Sequence, residues 1–240
     1  MRKLEIKIEP GSALAALLCF FCALPLISLR AGEAAVAEAT SAAAERLHTE
    51  ARRILLSFKA SEYKHKTSVD EESGRYEVDC SGLVCVILKK VAPNALKDIS
   101  KKFGKARPLA ADFYEAFAST GAKQDDCWQP VEKLLDAMPG DLIAWRRAEI
   151  VPGEDTGHIV VVDEKPVRED DGSIRVRLID STRSGHGGDS RKEGASGVGR
   201  GTMWFTVDAG GKPTGYRWRS RTGRLHESQI AIGRILDQRR

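Results

Sequence analysis

Residues 79–91 read DCSGLVCVILKKV, and this stretch decides the fold that the sequence predicts. A polar segment from Ala60 to Asp79 leads into an apolar run from Leu83 to Val91, which predicts a buried helix that begins at about Cys80. A cysteine in the first turn of a helix faces the positive end of the helix dipole, and this field favours the thiolate. The stretch therefore predicts a core helix and a candidate nucleophile together.

Helical spacing dominates the chain before residue 138, and strand spacing dominates it afterwards. The predicted helices are Glu38–Lys59, the one that begins near Cys80, Leu109–Ala118 and Val131–Ala137. The predicted strands are Leu142–Trp145, Ile159–Val162, Ile174–Ile179, Met203–Val207, Tyr216–Trp218 and Ile230–Leu236. Helices that precede an antiparallel sheet indicate the α+β class. A Gly- and Ser-rich loop, Ser184–Gly201, is too long for a simple turn. Its His186 is interpreted as a mobile loop residue, and the alternative is that it acts as the base.

The N-terminus has the three-part pattern of a secretory signal. Basic residues precede an apolar run, Ala13–Leu29, and small residues follow it. We therefore expect residues 1–37 to be a signal peptide and residues 38–240 to be one exported domain, in the periplasm or outside the cell. The alternative is an uncleaved membrane anchor, because the run approaches the length that spans a bilayer.

Composition excludes several classes of protein. The 240 residues include 38 basic and 34 acidic side chains, and this balance is too mixed to indicate a nucleic-acid surface. Five cysteines are too few for a disulfide-built scaffold. Cys85 reads as a core residue and Cys127 as a structural one, with a disulfide between them as the alternative. The sequence implies no metal and no organic cofactor.

A cysteine nucleophile requires a group that moves protons, and His158 suits this role at the head of a predicted strand. Asp180 ends the next predicted strand and can orient the imidazole if the two strands are neighbours. The hydroxyl of Tyr63 or Tyr76 is a candidate donor to a developing oxyanion. These residues predict a Cys-His-Asp triad.

At these positions the chain resembles the NlpC-type cysteine peptidases, which are papain-like hydrolases of bacterial cell walls. The segment 79–84 is similar to the family's nucleophile motif, 139–143 to its strand-opening motif, and 157–161 to its base motif. Asp180 stands where the family has its third polar residue, and Ser81 follows the nucleophile as a candidate substrate-binding residue. The resemblance covers about residues 63–182, and the family's aromatic-Gly-Gly segment before the nucleophile is missing.

The resemblance implies a papain-like fold, with N-terminal helices packed on an antiparallel sheet. It also implies a thiol peptidase or amidase that cleaves amide bonds in peptidoglycan peptides. A wall-binding module without turnover and an acyltransferase of the same fold are the alternatives. A membrane is an expected partner only if the N-terminal segment stays uncleaved.

Overall fold

The computed structural model describes residues 42–119 and 127–237, which form four helices and twelve strands. The helices are α1 (Ala42–Ser57), α2 (Cys80–Val91), α3 (Pro93–Phe103) and α4 (Ala110–Ser119), and a 3₁₀ turn covers Leu134–Asp136. Three short strands, β1 (Ala60–Glu62), β2 (Ser68–Asp70) and β3 (Arg75–Glu77), lie between α1 and α2. The others are β4 (Trp128–Pro130), β5 (Leu142–Arg146), β6 (Gly157–Val162), β7 (Val167–Arg168), β8 (Ile174–Thr182), β9 (Gly197–Val207), β10 (Pro213–Arg217), β11 (Leu225–Glu227) and β12 (Ile230–Ile235).

The later strands form one antiparallel sheet, which confirms the α+β class. Its order is β11-β10-β9-β8-β6-β5-β12-β4, with β7 paired to β8. The first three strands form a separate small sheet in the order β1-β3-β2. The signal peptide predicted at 1–37 lies outside the described residues. No helix within the described ranges is long and apolar enough to cross a membrane.

The large sheet buries apolar side chains on both faces. Alternate residues of β6 show this, because Ile159 and Val161 belong to one apolar cluster while Val160 and Val162 belong to the other. Helices α1, α2 and α4 pack against the first face. A strand with both faces buried reads as a continuous apolar run, which is the pattern that the sequence shows here.

Two predicted elements are wrong in type or extent. The segment Val131–Ala137 forms a short 3₁₀ turn and no α-helix, because the Val131 N–H bonds to the Ile232 carbonyl beside the sheet, 2.9 Å away. The loop predicted at Ser184–Gly201 ends at residue 196, because β9 begins at Gly197 and pairs with β8. Helix α3 and the strands β1–β4, β7 and β11 were not predicted.

Candidate active site

Helix α2 begins at the predicted cysteine because Asp79 caps it. Asp79 Oδ1 accepts the Gly82 N–H at 2.6 Å and the Ser81 hydroxyl at 3.0 Å. The cap supplies a partner to a backbone donor that the first helical turn leaves unpaired. Position 82 requires a glycine for a steric reason, because a Cβ there would lie 2.6 Å from Thr67 Oγ1. Cys80 is thus fixed as the first residue of the helix.

Arg107 holds this cap in place, and the sequence analysis did not identify it. Its Nη1 donates to Asp79 Oδ1 at 2.8 Å, and its Nη2 donates to Asp79 Oδ2 at 3.1 Å. It also bonds to Ser81 Oγ at 3.1 Å and to the His65 carbonyl at 3.1 Å. A lone arginine in a polar loop has no pattern that marks it, so only the folded chain shows its role.

The Cys80 thiol is buried, with 4% of the residue exposed. Burial raises the pKa of this thiol, the neighbouring Asp79 carboxylate raises it further, and the backbone N–H groups of Ile159 and Ser81 act in the opposite direction. The helix dipole led us to expect a lowered pKa, and the structure shows the reverse. Burial and a carboxylate at the cap therefore favour the neutral thiol.

His158 and Asp180 meet as predicted. His158 Nε2 lies 2.6 Å from Asp180 Oδ2, and both residues are buried. The pairing of β6 with β8 places the two side chains on the same face of the sheet, because residues alternate between faces along a strand. Nδ1 is then the ring nitrogen that Asp180 leaves unengaged, and the backbone N–H of the next residue, Ile159, donates to the Cys80 thiol.

Two further groups contact the same carboxylate. His186 Nε2 lies 2.8 Å from Asp180 Oδ2, and Arg191 Nη2 donates to Asp180 Oδ1 at 2.6 Å. Burial alone would raise the pKa of Asp180, but the electrostatic interactions with His186 and Arg191 and the hydrogen bonds from His158 and His186 hold it well below its usual value. The prediction that His186 is a mobile loop residue is wrong, because its side chain is fully buried.

His158, Asp180 and His186 also form the one group within the described residues whose ligand atoms all lie close enough, within 4.8 Å, to consider a metal ion. Their present bonding favours a hydrogen-bond network. Asp180 Oδ2 accepts from both histidines, and the cation of Arg191 lies on Oδ1, where it would repel a divalent ion.

The candidate oxyanion donors have different positions. Tyr63 lines the small cavity that contains Cys80, and its hydroxyl donates to Asp155 Oδ1 at 2.7 Å. Burial raises the pKa of Tyr63, and the adjacent Cys80 side chain and the hydrogen bond to Asp155 raise it further, so its hydroxyl keeps its proton. Tyr76 lies in the core, where its hydroxyl faces Arg53. Ser81 lines the cavity but bonds to the Asp79 cap.

A cleft of about 620 Å³ leads to these residues. His158 lines it, and Tyr63, Asp155 and Gly157 line both the cleft and the small cavity at Cys80. Aromatic rings form a wall beside His158: the rings of Trp145 and Trp218 each lie 5.2 Å from the imidazole. Four arginines also line the cleft, namely Arg146, Arg147, Arg183 and Arg224.

The other two cysteines of the described ranges do not form the disulfide considered above. Cys85 and Cys127 are both buried, and no bridge joins them. The Cys85 sulfur lies 3.7 Å from the Pro108 carbonyl oxygen, and burial raises the pKa of this thiol to about 12. Cys85 is therefore a core residue, as the sequence predicted.

Fold and site together define a mixed α/β protein with a buried His158–Asp180 pair beside an aromatic cleft, and with a buried cysteine, Cys80, in an adjoining small cavity. Comparison with known proteins shows similarity to an uncharacterized protein of Acanthamoeba polyphaga mimivirus. The two are 28% identical over 158 residues, which cover 58% of this chain and 67% of the viral protein. No protein-family model matches the chain, and no solved structure matches it.

Proposed function

We propose that the protein is an exported cysteine hydrolase of papain-like fold that cleaves amide bonds. The observation that carries the proposal is the 2.6 Å contact between His158 Nε2 and Asp180 Oδ2. This contact engages one ring nitrogen and leaves the other available to accept a proton. The order of nucleophile, base and orienting residue is that of the NlpC-type peptidases, which the sequence resembles.

In the proposed reaction, the Cys80 sulfur adds to the substrate carbonyl while its proton passes to His158 Nδ1. The carbonyl electrons move to oxygen, where the Cys80 N–H and the Tyr63 hydroxyl are the candidate donors. Collapse of this intermediate expels an amine that takes the proton from His158, and a thioester remains. Water, deprotonated by His158, then hydrolyses the thioester and restores the thiol.

The proposed substrate is a peptidoglycan stem or crosslink peptide. The resemblance to cell-wall hydrolases supports this choice, and a cleft lined by aromatic rings and arginines suits an extended peptide that carries carboxylates. An amidase that cuts the bond between sugar and peptide would use the same groups.

Two other functions share this fold in principle. A wall-binding module without turnover is consistent with the raised pKa of the Cys80 thiol, because a protonated thiol is a weak nucleophile. An acyltransferase would form the same thioester and pass the acyl group to an amine or alcohol in place of water.

The test is digestion of purified peptidoglycan and synthetic stem peptides, with mass spectrometry of products and of the enzyme. We expect new amine termini in the products. We also expect a thioester on Cys80 that is trapped when the reaction is stopped in acid. Cys80→Ala should abolish both, while Cys85→Ala, which changes another buried thiol, should retain them.

The pH dependence of Cys80 alkylation by iodoacetamide provides a readout that needs no substrate. A rate that falls about tenfold or more in His158→Ala would support proton transfer between the two residues. An identical rate in both proteins, together with no peptide cleavage, would favour the binding module. Product carrying an added amine or alcohol would favour the acyltransferase.

A further inference from the structure

We propose that His186 and Arg191 are positioning residues that fix Asp180 and thereby hold the His158 imidazole in register with Cys80. This inference rests on the proposed function, because it concerns the group that would move the proton. Neither residue belongs to the Cys-His-Asp set, and the sequence favoured a mobile loop at His186.

The contacts of Asp180 show why a third catalytic residue alone is insufficient here. Its side chain is fully buried, and His158 donates to only one of its oxygens. A buried carboxylate with a single partner carries a large desolvation cost. His186 shares Oδ2 at 2.8 Å, while Arg191 occupies Oδ1 at 2.6 Å and the Asp180 carbonyl at 2.8 Å.

Backbone hydrogen bonds hold the segment that carries His186 against the sheet. The His186 N–H donates to Asp189 Oδ2 at 2.7 Å, and Gly187 exchanges two backbone hydrogen bonds with Thr202. The ring of Trp218 covers the imidazole, with the ring centres 4.3 Å apart. Gly201 provides the space, because a Cβ there would lie 2.6 Å from the His186 Cβ.

The other nitrogen of His186 indicates the protonation state of the ring. Nδ1 is buried and has no hydrogen-bond partner. A proton on this nitrogen would be a buried donor without an acceptor, so the neutral ring with its proton on Nε2 fits the site best. His186 is then a fixed donor to Asp180, while His158 keeps its other nitrogen available for the thiol.

All three guanidinium nitrogens of Arg191 donate hydrogen bonds within the same network. Nε donates to the Gly197 carbonyl at 2.8 Å, Nη1 to Asp189 Oδ2 at 2.8 Å, and Nη2 to Asp180. Its side chain is 3% exposed. A Cβ at Gly199 would lie 2.5 Å from the guanidinium carbon, so the glycine in β9 makes room for the arginine.

The titratable and charged groups that face Asp180 are therefore His158, His186 and Arg191, and Asp189 and Cys80 lie next to them. With both oxygens engaged by anchored donors, the carboxylate cannot rotate when His158 takes or releases a proton. The geometry of the imidazole is thus set by residues that never contact substrate.

NMR of the full chain with labelled histidine and aspartate tests this inference. In the wild type we expect a downfield His158 Nε2–H resonance that exchanges slowly with water, and an Asp180 carboxyl that stays ionised in acid. His186→Phe and Arg191→Gln should each speed this exchange about tenfold and move the Asp180 midpoint upward by about one pH unit. His186→Gln and Arg191→Lys retain a donor and should lie closer to the wild type.

The matched control is His48→Gln, which removes another partly buried His–Asp contact, the 2.9 Å contact with Asp163, outside the site. It should lower stability without moving either signal. Signals unchanged from the wild type in folded His186→Phe and Arg191→Gln would overturn the inference. Shifted signals in a protein whose Cys80 shows no reactivity dependent on His158 would uphold the inference and overturn the proposed hydrolase.

Discussion

At the scale of single residues, the thiol of Cys80 and the carboxyl of Asp180 deviate in opposite directions from their ordinary pKa values. Burial and the Asp79 carboxylate keep the thiol protonated, whereas His186, Arg191 and His158 keep Asp180 ionised against its burial. In the proposed reaction, the proton therefore has to leave the sulfur as the substrate arrives. A residue that accepts it, His158, matters more here than the field of the helix.

Tyr63 and Tyr76 provide a matched pair for the proposed oxyanion site. Tyr63→Phe removes a hydroxyl in the Cys80 cavity, and we expect kcat to fall by about a hundredfold with little change in KM, as when one oxyanion donor is deleted. Tyr76→Phe removes a hydroxyl that faces Arg53 in the core, so it should lower the melting temperature and leave kcat unchanged. Equal kcat in both variants would remove Tyr63 from the reaction.

The lowered pKa of Asp180 also predicts how stability depends on pH. A carboxyl whose pKa is lower in the folded state stabilises the fold fully above its unfolded value, about 3.9, and loses this contribution as the pH falls toward the folded value. Asp180→Asn removes the charge of one of the two carboxylates that bind the buried Arg191, so at pH 7 we expect a loss of about 1.5–3 kcal/mol in the free energy of unfolding.

Urea unfolding of both proteins at pH 7, 4 and 3 checks this expectation, because carboxyls common to both cancel in the difference. The difference in the free energy of unfolding between wild type and Asp180→Asn should shrink as the pH drops below about 4. A gap that stays constant with pH would show that Asp180 contributes through packing and not through its charge.

At the scale of elements, the sequence predicted those whose apolar period is strong. Helix α2 and strand β6 fall where the pattern placed them, and the register of β6 with β8 brings His158 and Asp180 together as expected. Strand β9 was only partly predicted, because its glycines lower strand propensity. Gly199 and Gly201 leave space for Arg191 and His186. This is a requirement of the tertiary structure, and the local sequence carries no signal of it.

Gly140, in the turn before β5, shows how one residue fixes the contact of a helix with the sheet. It has a φ of +91°, and a Cβ there would lie 1.9 Å from the Ala44 carbonyl oxygen of α1. Gly140→Ala should therefore cost about 3 kcal/mol or more in the free energy of unfolding, from backbone strain and overpacking together.

Gly104, at the end of α3, is the control for Gly140, because it has a φ of +63° but open space around the site of a Cβ. Gly104→Ala should cost about 1 kcal/mol, which is the strain of a left-handed backbone alone. Urea unfolding of the two variants measures the difference. Similar losses would mean that α1 yields to the added methyl group.

At the scale of the whole molecule, the cleft carries charges of both signs, although the chain has a net charge of +4. Four arginines line it, against two carboxylates, Asp155 and Glu227. Arg146 and Arg147 have carboxylate partners in Glu115 and Glu154. Arg183 lies 5.1 Å over the ring of Tyr63 and contacts the His65 ring, and neither it nor Arg224 has an ion pair with a carboxylate within the described ranges.

Arg183 and Arg224, the two cleft arginines without a carboxylate ion pair within the described ranges, predict a preference for anionic reagents. Iodoacetate and iodoacetamide alkylate the same thiol and differ in charge, so the ratio of their rates at Cys80 reports the local potential. Arg183→Gln and Arg224→Gln should each lower this ratio roughly twofold at low salt, and added salt should shrink the effect. Arg168→Gln, which changes an exposed arginine outside the cleft, is the control and should leave the ratio at the wild-type value. If the ratio is the same in all three variants, the cleft arginines do not influence the thiol, and the preference for substrates that carry carboxylates loses its electrostatic basis.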